Sequence, residues 1–482
     1  MTDEMNPNEF RAQRLEHLAQ LRALGHQPYG GAYPRTGSLA SIRAGFQEDV
    51  EARMAGRVVA VREMGKSVFI TLRDATGQFQ LYLRKDAIGE ESFKALKFLD
   101  LGDHIGAEGV LFVTKMGEPT LKVGAWTMLA KALLPLPAKW HGLHDVEIRY
   151  RQRYLDLIAN PDSAEVFRKR ALAIKAIRDF LFSRHYLEVE TPMMQAMAGG
   201  AAATPFKTHY AALNAPMYLR IAPELYLKRL LVGGFDRVFE LNRNFRNEGL
   251  SRFHNPEFTM LEIYEAFGNV RTMMQLVTDL ILYVADTVYE KRVFGEDAQR
   301  VDLSQPWREV TYAELIREHA GDDWYALDTE GRRARAVELG LSIAPDWNDT
   351  DITQEVFEKL VEKTLMNPTF VTRLPVDLVP LAKVCADDPT CVDVFELIIG
   401  GREIAPGYEE LNDPVEQRQR LEAQAGGDPD KVDEAFLLAL EHGMPPAGGM
   451  GIGIDRLVMI LSEVEAIRDV ILFPQLKSKK HG

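Results

Sequence analysis

Between about Arg53 and Ala130 the apolar residues of this chain recur at every second position. Val68, Ile70 and Leu72 form one run and Phe79, Leu81 and Leu83 the next, with Asp74-Ala75-Thr76-Gly77 between them. A period of two puts one set of side chains on one face of a strand, and Asp and Gly favour the reversal that joins two strands. A further strand pair is expected around Gly117-Glu118-Pro119. Several short strands within about 80 residues predict a small β-barrel rather than a helical or parallel-sheet domain.

Outside this segment the periodicity changes. Phe10, Leu15, Leu18, Leu21 and Leu24 recur at helical spacing with Arg11, Arg14 and Arg22 between them. They predict an amphipathic helix whose basic face either lies near RNA or is simply solvated. Pro135-Leu136-Pro137 is a stiff break before Lys139-Trp140-His141-Gly142, and Tyr150 to Asp156 opens a larger domain. Ala164 to Arg184 reads as a long helix. From Phe267 to about Arg373 the chain reads as helical and polar, and strands return near Val394 to Ile399. The expected division is a helical extension (1–50), the barrel (51–134), a linker (135–144) and a large domain (145–482) with a helical insertion at about 270–373. The fold class is α+β.

A net charge of −14 argues against a protein coated with positive charge, although a local basic face can still dominate RNA contact. Cys385 and Cys391 are too few for a structural zinc set, and a reduced pair in a reducing compartment is favoured over a disulfide. Met1-Thr2-Asp3-Glu4-Met5 is acidic and lacks an apolar h-region, and no apolar stretch is long enough to span a bilayer. A cytoplasmic protein without a membrane partner is expected.

The densest chemistry lies in Phe245-Arg246-Asn247-Glu248-Gly249 and His254-Asn255-Pro256-Glu257-Phe258. An arginine fork can neutralise a phosphate and orient a carboxylate that attacks it, while a phenyl ring offers a stacking face for a purine. The set suits ATP held by its α-phosphate and adenine at once; the alternative is an exposed ion-pair loop. In Gly448-Gly449-Met450-Gly451-Ile452-Gly453-Ile454-Asp455-Arg456 no βαβ unit with a downstream acid supports a dinucleotide loop. The glycines instead allow close backbone approach to a ligand, and Arg456 can reach phosphate.

Two sets of acids complete the pattern. Glu396 sits in an apolar strand and Glu403 follows Gly400-Gly401-Arg402. An acid in such a strand is unfavourable unless paired or metal-bound, and two carboxylates beside a polyphosphate suit Mg²⁺. The alternative is an ion pair with Arg402. Glu224 follows Pro223 at a strand-to-helix junction, Glu262 and Tyr264 alternate with Ile263, and Glu410 follows Gly407-Tyr408-Glu409. These acids can enclose a substrate with two ammonium groups, for which lysine is the obvious candidate.

Taken together, these segments resemble bacterial class II lysyl-tRNA synthetases over nearly the whole chain. Leu187 to Pro192 resembles motif 1, the Arg246 segment motif 2 and the Gly448–Arg456 segment motif 3. The resemblance implies a class II catalytic domain built on an antiparallel sheet flanked by helices, preceded by an OB-fold barrel that binds the anticodon. It implies catalytic roles for Arg246 and Arg456. ATP would be held by these two with Glu248, His254, Asn255, Phe258, Glu396 and Glu403, and Glu396 and Glu403 would hold Mg²⁺, up to three ions with ATP. Lysine would meet Gly200, Glu224, Arg246, Glu262, Tyr264 and Glu410. Arg62, Phe69 and Gln80 would meet a U-rich anticodon. The implied partners are tRNA(Lys), lysine, ATP and a second copy of the chain joined through motif 1.

The aspartyl and asparaginyl relatives typically carry glutamine at the Glu224 position. This chain departs from the lysyl pattern at His185 (usually glycine), at Phe253 (usually an arginine, here displaced to Arg252), at Pro406 (often asparagine), at Glu409 and at Ala125 in the last barrel strand. Pro406 is expected mainly to stiffen its loop. No HIGH motif is present and Lys477-Ser478-Lys479-Lys480 is a basic tail, which rejects a class I enzyme. The implied reaction is attack of the lysine carboxylate on the α-phosphorus of ATP, then transfer to the tRNA 3′ end. The rivals are a related ligase that modifies a protein, whose members lack the barrel, and a non-catalytic RNA-binding regulator.

Overall fold

The computed structural model describes residues 7–137, 143–201, 203–426, 428 and 432–477. Met1 to Met5, the Lys139–Gly142 part of the expected linker and Ser478 to Lys480 of the basic tail lie outside the described residues. The chain divides into two compact units, Met1–Asp145 and Val146–Gly482.

In the first unit, β1 (Glu51–Met64), β2 (Ser67–Arg73), β3 (Gln78–Arg84), β4 (His104–Val113) and β5 (Pro119–Ala130) close into a barrel in the order β1-β2-β3-β5-β4. The period of two does what it must: Val68, Ile70, Leu72, Phe79, Leu81 and Leu83 fill one core. Asp74 caps the turn between β2 and β3 by accepting from the Thr76 and Gly77 amides at 2.7 and 3.1 Å. Phe69, out of phase with that core, stands on the outer face against Tyr82, with ring centroids 4.8 Å apart. Tyr82 meets Phe112 at 5.9 Å. Arg62 is exposed and pairs in register with Phe69, and Gln80 donates to Thr120 Oγ1 at 2.9 Å. Ala125 lies opposite Glu108, which pairs with Arg53.

Pro7–Ala23 is helical, and Leu18 and Leu21 are buried. Arg14 does not belong to a solvated or RNA-facing side as its spacing implied. It is buried and donates to the carbonyls of Ala132 and Leu134 at 3.0 and 2.7 Å, fastening the helix to the segment after β5.

The second unit is built on an eight-stranded sheet. Its order is Arg308–Thr311, Thr369–Thr372, Val394–Ile398, Glu403–Glu409, Ala447–Gly453, Glu257–Ala266, Arg237–Phe245 and Leu187–Glu188. The six central strands are antiparallel, and only the outermost pair at each end is parallel. Helices Pro161–Ser183, Val270–Val284 and Ile454–Leu461 pack their apolar residues against it.

The stretch from Phe267 to Arg373 differs from its sequence reading. Helix Val270–Val284 is not polar: it buries Met273, Leu276, Val277, Leu280 and Ile281 in the main core. Two four-residue strands, Arg308–Thr311 and Thr369–Thr372, join the main sheet from within it. Runs that short carry too few alternations to reveal a period.

His185 adopts a φ of 64° just past helix Pro161–Ser183, where Tyr186 N donates back to Leu181 O at 3.1 Å. That left-handed turn explains the family's glycine, since a β-carbon there costs about 1–2 kcal/mol. Among the described residues no helix is long and apolar enough to cross a membrane.

Candidate active site

The strands Arg237–Phe245 and Glu257–Ala266 pair with Phe245 opposite Glu257, so the intervening loop hangs from one end of the sheet. Arg246 begins that loop, its amide donating to Pro256 O at 2.9 Å. Its guanidinium lies over the Phe258 ring, 5.2 Å from the centroid, and its Nε is buried with no hydrogen-bond partner among the described residues. Glu248 is exposed and its Oε1 accepts from Thr204 N at 3.4 Å. Asn255 is buried and occupied structurally: it donates to Glu257 O at 2.6 Å and accepts from Gln475 N at 3.2 Å.

Arg456 comes from the first turn of helix Ile454–Leu461, immediately after the glycine-rich strand Ala447–Gly453. Its Nη1 donates to Glu403 O at 2.9 Å and its Nη2 to His254 Nε2 at 3.1 Å. With Nε2 accepting, Nδ1 carries the proton and donates to Ser251 Oγ at 2.8 Å. Burial and the Arg456 guanidinium hold His254 below its ordinary range, which keeps the ring neutral at physiological pH. Arg246, Glu248, His254, Phe258, Glu403 and Arg456 line one cavity of about 200 Å³.

Beside it lies an acid cluster larger than the sequence suggested. Burial pushes Glu396 well above the usual carboxylate range, and the charges of Glu403, Glu362 and Glu358 add to the shift. Burial also raises Glu362, whose Oε1 accepts from the Glu403 amide at 2.9 Å. Arg402 is not the counter-ion: its guanidinium lies over the Phe253 ring at 4.1 Å, and among the described residues it pairs with neither Glu396 nor Glu403. The displaced Arg252 forms an exposed ion pair with Glu465. No three His, Cys, Asp or Glu side chains among the described residues form a ready cation cage. Glu396, Glu403, Glu362 and Glu358 thus concentrate carboxylate charge beside the cavity.

Pro406 lies in the strand Glu403–Glu409 and not in a loop. It pairs in register with Glu396, while pairing with the glycine-rich strand starts only at Gly407. A missing N–H is tolerated where one flank of a strand is unpaired.

The second cluster lies further along the same sheet. Phe258, Met260, Glu262 and Tyr264 occupy alternate positions of one strand, with Glu262 opposite Gly451 and Tyr264 opposite Gly449. Tyr264 donates to Glu262 Oε2 at 3.0 Å. Burial, with help from the Glu224 charge, pushes Glu262 up to about 8. Glu224 opens helix Glu224–Val232, where Tyr408 donates to its Oε1 at 2.5 Å. Glu410 is buried, and burial raises it above its usual range.

Two glycines make room for these acids. A β-carbon on Gly449 would meet Glu410 Oε1 at 2.0 Å, and one on Gly200, at a φ of 84°, would meet Glu224 Cβ at 3.2 Å. The structure thus brings Gly200, Glu224, Glu262, Tyr264 and Glu410 together.

The family described as tRNA synthetases class II (D, K and N) matches residues 145–477, and OB-fold nucleic acid binding domain matches residues 52–129. The chain belongs to the class II tRNA synthetases. A protein of Moorella thermoacetica named lysine–tRNA ligase is 50% identical over 98% of this chain and 99% of its own length. One of Pelotomaculum thermopropionicum with the same name is 49% identical, covering 99% and 96%, and one of Syntrophomonas wolfei is 48% identical, covering 99% and 98%.

A class II synthetase uses ATP, and the sheet and barrel described above are the catalytic and OB-fold domains of that family. Sequence reasoning missed Tyr408, Lys228 and Glu362 at this site. Lys228 had a signal, because it stands four residues after Glu224 and so shares its helix face. Tyr82 and Phe112 on the barrel had only their period-two phase, shared with Phe69.

Proposed function

We propose that the chain is a lysine–tRNA ligase that activates L-lysine with ATP and transfers it to tRNA(Lys). The observation that carries this reading is the face shared by Phe258 and Glu262. They lie on one strand, four residues apart, and thus about 13 Å along it. One face therefore serves a purine at one end and an ammonium group at the other, with Arg246 between the loop and the ring.

In this reading the lysine α-amino group meets Glu224 beside Gly200, and the side-chain ammonium meets Glu262, Tyr264 and Glu410. Arg246 neutralises the α-phosphate and aligns the lysine carboxylate with it, so that positioning and charge carry the step without a protein nucleophile. Adenine stacks on Phe258, and Arg456, anchored on the Glu403 carbonyl and on neutral His254, stabilises phosphate charge. Glu248 and Asn255 border the nucleotide. Mg²⁺ held by Glu396 and Glu403 would offset the polyphosphate charge. The 3′ ribose hydroxyl of tRNA then attacks the adenylate, while Arg62, Phe69 and Gln80 on the barrel's outer face meet the anticodon.

ATP–pyrophosphate exchange tests the amino-acid assignment. Lysine should outperform ornithine, arginine and β-lysine; preference for another amine by more than about tenfold, beyond what one hydrogen bond provides, would overturn the pocket.

We also infer a cytoplasmic homodimer joined around Pro192. Leu172, Phe182, Leu187 and Met194 are exposed apolar residues in and after the long helix that precedes it, and closed symmetric assembly would cover them. Light scattering at micromolar protein should give twice the chain mass, and a monomer mass would contradict the assembly.

A further inference from the structure

The acid pocket already contains a cation of the protein's own. Lys228 reaches in from the helix that carries Glu224, its Nζ 2.8 Å from Glu224 Oε1 and 2.5 Å from Glu410 Oε2, with no exposed side-chain surface. The Tyr408 ring lies 5.5 Å from that ammonium. Glu224, Glu262 and Glu410 supply three carboxylates and Lys228 one ammonium, which leaves two carboxylates unmatched. A lysine substrate brings two ammonium groups, and its carboxylate is met by Arg246. Buried charge is tolerated only when matched, so this balance decides what the pocket accepts.

We propose that Lys228 is a positioning residue, the fixed counter-ion that sets the pocket's charge to that of a substrate with two ammonium groups. The proposal rests on the lysine-pocket reading above. The groups that face Lys228 are Glu224 on its own helix, and Tyr408 and Glu410 at the end of the strand Glu403–Glu409. Glu262 and Tyr264 on the strand Glu257–Ala266 meet the same cluster through Glu224, and the buried pair Arg220 and Glu240 acts on Glu262. Burial raises Glu262 and Glu410, and at Glu410 Lys228 opposes the rise. A carboxyl that is protonated in the free pocket must lose its proton to pair with an ammonium. KM for lysine should therefore fall as pH rises through the range of these carboxyls. Without Lys228, Glu410 keeps its proton to higher pH.

The test is the KM for lysine in pyrophosphate exchange, measured from about pH 6 to 9 for the full chain, Lys228→Met, and Lys228→Met combined with Glu410→Gln. In Lys228→Met we expect KM near neutral pH to rise about 100-fold, with kcat changed far less. The fall in KM should also move up by about one pH unit or more, which a merely structural role would not produce. The double variant removes one charge of each sign. Its KM should stay high, because a ligand of the side-chain amine is lost, but its pH profile should return to that of the unsubstituted chain. A Lys228→Met KM within about threefold at every pH, with an unmoved profile, would overturn the assignment, since loss of a buried partner has a larger effect. If that variant does not fold, a displaced profile in the double variant overturns it equally. Absence of lysine-dependent exchange in the unsubstituted chain would instead sink the ligase reading itself.

Discussion

Arg246→Ala should lower lysine-dependent pyrophosphate exchange by about three orders of magnitude, mostly in kcat, as for loss of a preorganised donor to developing charge. The guanidinium is held by an anchored backbone and by the Phe258 ring, and its buried Nε has no partner among the described residues. A buried donor without a partner is unfavourable in the free protein and available to a ligand. Among the described residues no other arginine lies on that ring. Arg246→Lys should recover only part of the rate, because a point charge lacks the planar fork that meets two oxygens together. Rates within about tenfold of the unsubstituted chain for Arg246→Ala would place the α-phosphate elsewhere.

Glu403→Gln should cost about two orders of magnitude in the same assay. The substitution preserves shape while removing one carboxylate charge. Arg456 is anchored on the Glu403 main-chain carbonyl, and Glu362 on its amide. Both anchors survive the change, so lost activity reports the side-chain charge and not a collapsed loop. Raising Mg²⁺ should recover part of the rate if the charge holds the ion. Near-normal exchange kinetics in this variant would refute the metal role of Glu403.

Much of this architecture was legible from local pattern. The barrel followed from strict alternation through Val68–Leu72 and Phe79–Leu83, because an inward face must be continuously apolar. That Arg246, Phe258 and Arg456 share one cavity was legible because their chemistry is clustered in short segments. What stayed hidden depends on sequence-distant contact. Arg14 reads as a surface residue on a helical wheel, and only the carbonyls of Ala132 and Leu134 make its burial favourable. Glu362 lies in a stretch with no motif, yet it meets Glu403 from 41 residues away. Pro406 reads as a loop residue, and its place in a strand depends on where a neighbouring strand begins to pair. Lys228 reads as one more helix cation until Glu410 arrives from a different strand.

The most direct measurement of the central claim is charging by the full chain of unfractionated tRNA with radiolabelled lysine, ATP and Mg²⁺. Acid-precipitable lysine should accumulate on RNA, be removed by ribonuclease, and saturate at the lysine-accepting fraction of the tRNA. Label that resists ribonuclease and instead travels with a protein acceptor, or no label on tRNA despite active pyrophosphate exchange, would contradict it.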